Sequence, residues 1–149
     1  MKNILIVLSI VVLTSLSCVK ESDELAFALA PKIELLSISN DTIVQFTEQL
    51  VINIKYEDGD GDLGTTDPDV NSIFVLDQRL EKADEYYLGP LAPPEATISI
   101  QGTINLELSN VFLLGNGNQE TTVFSIHFFD RAGNQSNVIE TDPITILRN

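Results

Sequence analysis

The residues best suited to chemistry in this sequence are three aspartates that alternate with glycines, Asp58, Asp60 and Asp62. Carboxylates this close repel one another unless a cation or water separates them. The intervening glycines let the backbone turn, so that alternate side chains converge on one point. Because Ca²⁺ takes six to eight oxygen ligands, we predict a structural calcium-binding loop. The alternative is a plain solvated turn, which is what single Asp-Gly pairs usually form.

The spacing of these aspartates is close to that of an EF-hand but departs from it. The three acids fit loop positions 1, 3 and 5, whereas Leu63 stands at the glycine position and Asp69 at the glutamate position. No flanking helices are predicted. The pattern therefore indicates an aspartate ladder on a β scaffold. Mg²⁺ fits less well because it prefers fewer protein ligands, and zinc is disfavoured by a single histidine and a single cysteine.

The only histidine, His127, gives little basis for catalysis. It falls in the strand phase opposite Phe124, Ile126 and Phe128, so we expect a solvated surface side chain. Without a second histidine or a Gly-x-Ser-x-Gly segment, a hydrolase triad has few residues to use. We predict a protein that is not an enzyme. The alternative, a small envelope enzyme, would need a concave pocket lined by converging acids away from the acidic loop.

Alternating apolar residues predict strands on both sides of these candidates. Leu50, Ile52, Ile54 and Tyr56 share one parity, which indicates a half-buried strand that ends at the acidic loop. A second long strand is expected near residues 98–108, with a bulge at Gly102. Seven or eight short strands without a helix predict an all-β fold over residues 32–149, an antiparallel β-sandwich.

A second motif lies near the end of the chain. The stretch from Phe128 to Asn137 contains Asp130-Arg131-Ala132-Gly133-Asn134-Gln135-Ser136. This stretch and the acidic loop resemble segments of an immunoglobulin-like (cadherin- or fibronectin-III-like) domain of Bacteroidota lipoproteins, over roughly residues 32–147. In such a sandwich the second and sixth strands end at one pole. The resemblance therefore implies that Asp130 and Asn134 join Asp58, Asp60 and Asp62 as calcium ligands.

The first residues predict export. Lys2 precedes an apolar run from Ile4 to Leu16, which is too short to span a bilayer comfortably. We predict a signal peptide over residues 1–17. Its end, Ser15-Leu16-Ser17-Cys18, resembles a bacterial lipobox, although leucine is more usual where Ser15 stands. The resemblance implies lipidation of Cys18 and a membrane anchor, and the alternative is a soluble secreted protein.

Residues 18–31 are interpreted as an acidic tether. Val19 to Glu24 resembles the charged tag of Bacteroidota lipoproteins that reach the outer face of the outer membrane. We therefore expect an outer-membrane lipoprotein at the cell surface, with the periplasmic face as the alternative. The formal net charge of −14 argues against nucleic acid as a partner, since phosphates would be repelled.

These features together predict a binding or scaffolding protein of the cell envelope whose partner is a protein or a glycan. The alternative is a glycan-binding accessory lipoprotein that captures polysaccharide. That alternative would use Tyr86 and Tyr87 as a platform on which sugar rings stack.

Overall fold

A computed structural model describes residues 25–149 of the chain. The predicted signal peptide, Cys18 and the first part of the predicted tether lie outside these residues. The described part contains ten strands: β1 Lys32–Ile38, β2 Thr42–Val44, β3 Leu50–Asp58, β4 Ile73–Asp77, β5 Asp84–Tyr86, β6 Ile100–Leu108, β7 Gln119–Thr122, β8 Phe124–Phe128, β9 Ile139–Glu140 and β10 Ile144–Leu147. Within residues 25–149 there is no helix, and hence none long and apolar enough to cross a membrane.

The strands form three sheets, with orders β1-β3-β6, β5-β4-β8-β9 and β2-β10-β7. All neighbouring strands run antiparallel except β2 and β10, which are parallel. The all-β class is confirmed, as a β-sandwich-like arrangement. The predicted count of seven or eight strands is wrong, since the described residues form ten. Pro143 has no N–H to donate, and the chain on either side of it contributes β9 and β10 to different sheets.

A single hydrophobic core fills the space between the sheets. The predicted inward positions of β3 are confirmed, since Leu50, Ile52 and Ile54 are fully buried. In β8, Phe124, Ile126 and Phe128 are buried in the same cluster. Each such side chain contributes roughly 1.5–3 kcal/mol by leaving water. The alternation seen in the sequence therefore fixes which faces of β3 and β8 meet.

The bulge predicted at Gly102 is wrong. The β3–β6 register runs without a shift from Leu50 opposite Leu108 to Asp58 opposite Ile100. Gly102 lies opposite Tyr56, and a β-carbon at residue 102 would lie only 2.7 Å from the Tyr56 hydroxyl oxygen. The glycine therefore makes room for the tyrosine ring across the strand pair.

The topology brings two connections to one end of the sandwich. β3 ends at Asp58 and β8 ends at Phe128, and the following loops meet at an antiparallel bridge between Leu63 and Asp130. We call this end, defined by Asp58, Asp60, Asp62 and Asp130, the acidic pole.

Candidate metal centre

The acidic loop is held in shape by its one apolar residue. Leu63 is fully buried, and its N–H donates to Asp58 Oδ2 at 3.1 Å. Gly61 and Gly64 have φ values of 77° and 81°, in the left-handed region that glycine tolerates without strain. A β-carbon on residue 61 would also lie 2.6 Å from the Ile98 carbonyl oxygen. Leu63 and the glycines thus fold the chain back so that the carboxylates before them turn inward.

The second loop holds Asp130 from both sides. The Asn134 backbone N–H donates to Asp130 Oδ1 at 2.7 Å, and the Asn134 side-chain amide donates to Asp130 Oδ2 at 2.8 Å. Gly133, with φ of 87°, closes the turn by donating its N–H to the Asp130 carbonyl at 3.2 Å. Ser136 then accepts the Phe128 N–H at its hydroxyl, at 2.9 Å. The motif at the end of the chain is therefore a turn that fixes one aspartate at the end of β8.

The two loops are joined chiefly through the backbone of the second loop. The Arg131 N–H donates to the Asp62 carbonyl at 3.2 Å, and the Ala132 N–H donates to Asp62 Oδ2 at 3.0 Å. The Arg131 guanidinium binds the Gly64 carbonyl at 2.8 Å. Among residues 25–149, none of the carboxylates of the acidic pole forms an ion pair with a lysine or arginine. Within the described residues, the negative charge of the pole is therefore not balanced by a direct ion pair.

Three of the carboxylates converge closely enough to share one ion. Asp58, Asp62 and Asp130 each offer one oxygen, and these oxygens all lie within 4.8 Å of one another. Two oxygens bound to one Ca²⁺ at 2.3–2.6 Å are at most about 5 Å apart, so the spacing fits a common centre. Asp58 is fully buried and Asp130 is only 7% exposed, so the centre lies inside the protein.

The strongest indication of a ligand is a set of oxygens without partners. Oδ1 of Asp58, of Asp60 and of Asp62 is buried, and each lacks a hydrogen bond. An unsatisfied buried polar atom typically costs 1–3 kcal/mol, and more if it is charged. A cation among these oxygens would remove that cost for all of them at once. Asp60 lies outside the closest cluster, but its charge raises the pKa of both Asp58 and Asp62, so it lies near the centre.

The electrostatics of the pole agree with this geometry. Burial, together with the charges of Asp130 and Asp60, raises the pKa of Asp62 to about 6. Burial also raises the pKa of Asp58, against the lowering effect of the Leu63 N–H, and Asp60 and Asp130 add to the rise. Ionised carboxylates are therefore held here at a cost, which a bound cation would offset.

The structure thus brings four of the five residues predicted as metal ligands to one pole, Asp58, Asp60, Asp62 and Asp130. Asn134 lies beside them, where its amide nitrogen holds Asp130. Sequence reasoning missed Ser99, whose hydroxyl donates to the Gly59 carbonyl at 2.8 Å. Nothing local marks Ser99, because its partner lies in a distant part of the chain.

The expectation of a freely solvated His127 is wrong. Its ring stacks on Phe74 with centroids 5.2 Å apart, and it meets Phe129 edge-on at 5.4 Å. Burial lowers the pKa of His127, which favours the neutral form. The predicted outward phase is correct, but aromatic neighbours on the same sheet face cover part of the ring.

The two tyrosines proposed as a sugar platform have different surroundings. Tyr86 is half-buried and packs against the hydrophobic core. Tyr87 is 45% exposed, and its hydroxyl donates to the Thr65 carbonyl at 2.8 Å. Only Tyr87 therefore presents much of its ring to solvent.

A concave pocket of about 420 Å³ lies away from the acidic loop, and Asp77, Asp84 and Glu85 are among its lining residues. The buried acid of this pocket, Asp77, binds the Arg79 guanidinium through Nε at 3.0 Å. Burial tends to raise the pKa of Asp77, but hydrogen bonds from Arg79 and Thr122 lower it below the ordinary value. Asp77 is therefore a poor proton donor, and the pocket gives no support to acid catalysis.

The chain matches no protein-family model and no curated protein sequence. Its function must therefore be inferred from its own residues. The acidic pole has the clearest chemical requirement, because one carboxylate oxygen each of Asp58, Asp60 and Asp62 lacks both a donor and solvent.

Proposed function

We propose that this protein is a non-catalytic, lipid-anchored component of the cell envelope, an immunoglobulin-like β-sandwich that binds Ca²⁺ at its acidic pole. The ion has a structural role there, and the domain acts in binding or scaffolding. The observation that carries the proposal is the set of three buried carboxylate oxygens without partners, on Asp58, Asp60 and Asp62.

A structural role follows from where the ion would lie. Asp58 ends β3 and Asp130 follows β8, so an ion bound to both would link strands of two different sheets. The side chains of both residues are almost completely buried. An ion held by them has little room for a substrate, but it would prevent the two loops from separating.

Thermal unfolding of the full chain in detergent micelles tests the metal site. Binding to the folded state alone stabilises it by about 2.7 kcal/mol at a hundredfold excess over Kd. At roughly 3–5 °C per kcal/mol for a domain of this size, we expect millimolar Ca²⁺ to raise Tm by on the order of 10 °C relative to EDTA.

The matched variants are Asp58→Asn and Asp69→Asn. Both remove one negative charge near the same loop, but Asp69 is exposed and lies outside the cluster. Asp58→Asn should abolish the calcium effect, and Asp69→Asn should retain it. Equal Tm values for the unmodified chain in EDTA and in Ca²⁺ would refute the metal site.

The anchor is tested separately, because Cys18 lies outside the described residues. Lipidation would place the protein in the membrane fraction, with processing that is sensitive to the signal-peptidase inhibitor globomycin. We expect Cys18→Ser to lose both properties. A Cys18→Ser protein that still matures normally and sediments with membranes would show that the anchor assignment is wrong.

A further inference from the structure

The residues that enter the domain from its N-terminal side lie directly on the acidic loop. We call residues 25–31 the N-terminal strap. The Ala26 N–H donates to Ser99 Oγ at 2.9 Å, and the same hydroxyl donates to the Gly59 carbonyl at 2.8 Å. Ser99 thus connects the strap to the residue between Asp58 and Asp60. Movement of the loop backbone at Gly59 would displace the hydroxyl that holds the strap.

The strap and the loop also touch backbone to backbone. A β-carbon on Gly59 would lie 2.5 Å from the Phe27 carbonyl oxygen and 2.7 Å from the Ala28 carbonyl carbon. No side chain larger than hydrogen fits there without displacing the strap. The φ of Gly59 is not among the positive values of this chain, so the glycine is required by the close approach and not by its conformation.

Little else holds the strap in place. Pro31, where the strap joins β1, is buried, but between residues 25 and 30 only Phe27 is partly buried and Leu29 is 53% exposed. Few buried apolar contacts mean a low local free energy of opening. The docking of the strap therefore depends largely on the shape of the acidic loop beneath it.

From these contacts we infer that the cation at the acidic pole controls whether the N-terminal strap is docked on the domain. The inference rests on the proposed metal site. With the ion bound, the carboxylates converge, the Gly59 backbone stays in place and the strap packs on it. Without the ion, repulsion among the carboxylates opens the loop and releases the strap.

The consequence concerns the distance between the domain and its anchor. On release, the seven residues of the strap would add a reach of up to about 25 Å to the chain between the domain and the proposed anchor. Docking holds these residues against the acidic loop. The ion would thereby set how far the domain extends from the surface that carries it.

Coupling of this kind is reciprocal, which provides a second readout. If the ion favours the docked strap, the docked strap must favour the ion by the same factor. Variants that release the strap should therefore bind Ca²⁺ more weakly, even though no carboxylate is changed.

The test is chymotryptic cleavage after Phe27 in the full chain in detergent micelles, with Ca²⁺ binding measured by calorimetry on the same samples. We expect Ca²⁺ to slow this cleavage at least tenfold relative to EDTA. Ser99→Ala and Gly59→Ala should each restore fast cleavage in Ca²⁺ and weaken Ca²⁺ binding several-fold. Thermal melts confirm that both variants are folded.

Ser109→Ala is the matched control. Ser109 accepts a hydrogen bond from Gln49 Nε2 at 2.9 Å, outside the strap and the acidic loop, so its loss should leave cleavage after Phe27 sensitive to Ca²⁺. Calorimetric binding of Ca²⁺ with unchanged cleavage would overturn the inference and leave the metal site intact. Absence of binding would overturn both proposals.

Discussion

Each of two regions of this domain buries an aspartate, but only one of them pairs the carboxylate with an arginine. Asp77, at the end of β4, is enclosed by Arg79, whose Nη2 lies 2.5 Å from Asp77 Oδ2, and by the Thr122 hydroxyl. Asp58, at the end of β3, receives the Leu63 N–H and leaves its other oxygen without a partner. The pKa of Asp77 is lowered, whereas that of Asp58 is raised.

The Asp77 region shows that this fold can neutralise a buried carboxylate with one of its own arginines. Arg79 also binds Glu120 at 2.6 Å and the Phe112 carbonyl at 3.0 Å, so one guanidinium organises an entire cluster. At the acidic pole Arg131 is close enough to do the same, yet it binds the carbonyls of Gly64 and Gly61. The arginine cluster therefore carries its own cation, and the lack of such a pairing among the described residues of the acidic pole is what supports our proposal of a cation from solution there.

The largest effect is expected from removing the internal cation. Breaking a buried pair by removing one partner typically costs about 3–5 kcal/mol, so we expect Arg79→Met to lower the free energy of unfolding by that amount. Urea denaturation should show the loss equally in Ca²⁺ and in EDTA. The control is Lys55→Met, which breaks the more exposed pair with Glu57 and should cost much less, because solvent screens that pair. Restoration of Arg79→Met stability by Ca²⁺ would contradict the separation of the two regions.

A smaller effect of opposite sign is expected at the acidic pole. In EDTA at pH 7.5, Asp62→Asn removes a charge that burial and the neighbouring acids disfavour, and it should stabilise the domain by about 1–2 kcal/mol. In saturating Ca²⁺ the same variant should be less stable than the unmodified chain, because a ligand is lost. The change in the free energy of unfolding caused by Asp62→Asn should therefore reverse its sign between a urea titration in EDTA and one in Ca²⁺. Destabilisation in both buffers would show that the Asp62 carboxylate is stabilising without any ion.

The smallest effect is a pH dependence of the metal-free protein. The folded-state pKa of Asp62 is about 6, above its unfolded value of about 3.9, so the folded state binds the proton more tightly. Stability in EDTA should therefore fall as pH rises through this window, by about 1 kcal/mol from pH 5 to pH 7. The effect of Asp77 on the pH dependence has the opposite sign. Because its pKa is lowered in the folded state, the stability that it contributes is present at neutral pH and is lost only as pH falls through that lowered pKa. Urea midpoints in EDTA that rise from pH 5 to pH 7 would contradict this account of the acidic pole.

The acidic pole could be predicted from the sequence because its evidence is local. Three of its four carboxylates occur within five residues, and the parity of Leu50 and Ile52 shows which face of the preceding strand is buried. The arginine cluster could not be predicted in this way. The sequence indicates only a charged connection after β4, because Glu120 lies far from Arg79 along the chain and nothing near either residue reveals the pairing.

Gly102 and β10 show the same limit. A glycine within a strand is compatible with a bulge or with close packing, and only the position of Tyr56 across the strand pair decides between them. β10 pairs in parallel with β2 and so joins the two ends of the domain. The sequence of neither strand indicates that it pairs with the other. Pairings between distant segments are set by the packing of the whole core.

The complete burial of Leu63 affects which metal ion the proposed site would select. This fully buried residue is bridged to Asp130 and bonded to Asp58, and its carbonyl accepts the Leu91 N–H at 3.3 Å. The loop therefore cannot contract without pulling a leucine out of the core. Mg²⁺ needs oxygens at 2.0–2.1 Å, closer than the 2.3–2.6 Å of Ca²⁺. If the acidic pole binds a metal ion as we propose, the buried Leu63 would thereby set a lower limit on the ionic radius that the site accepts.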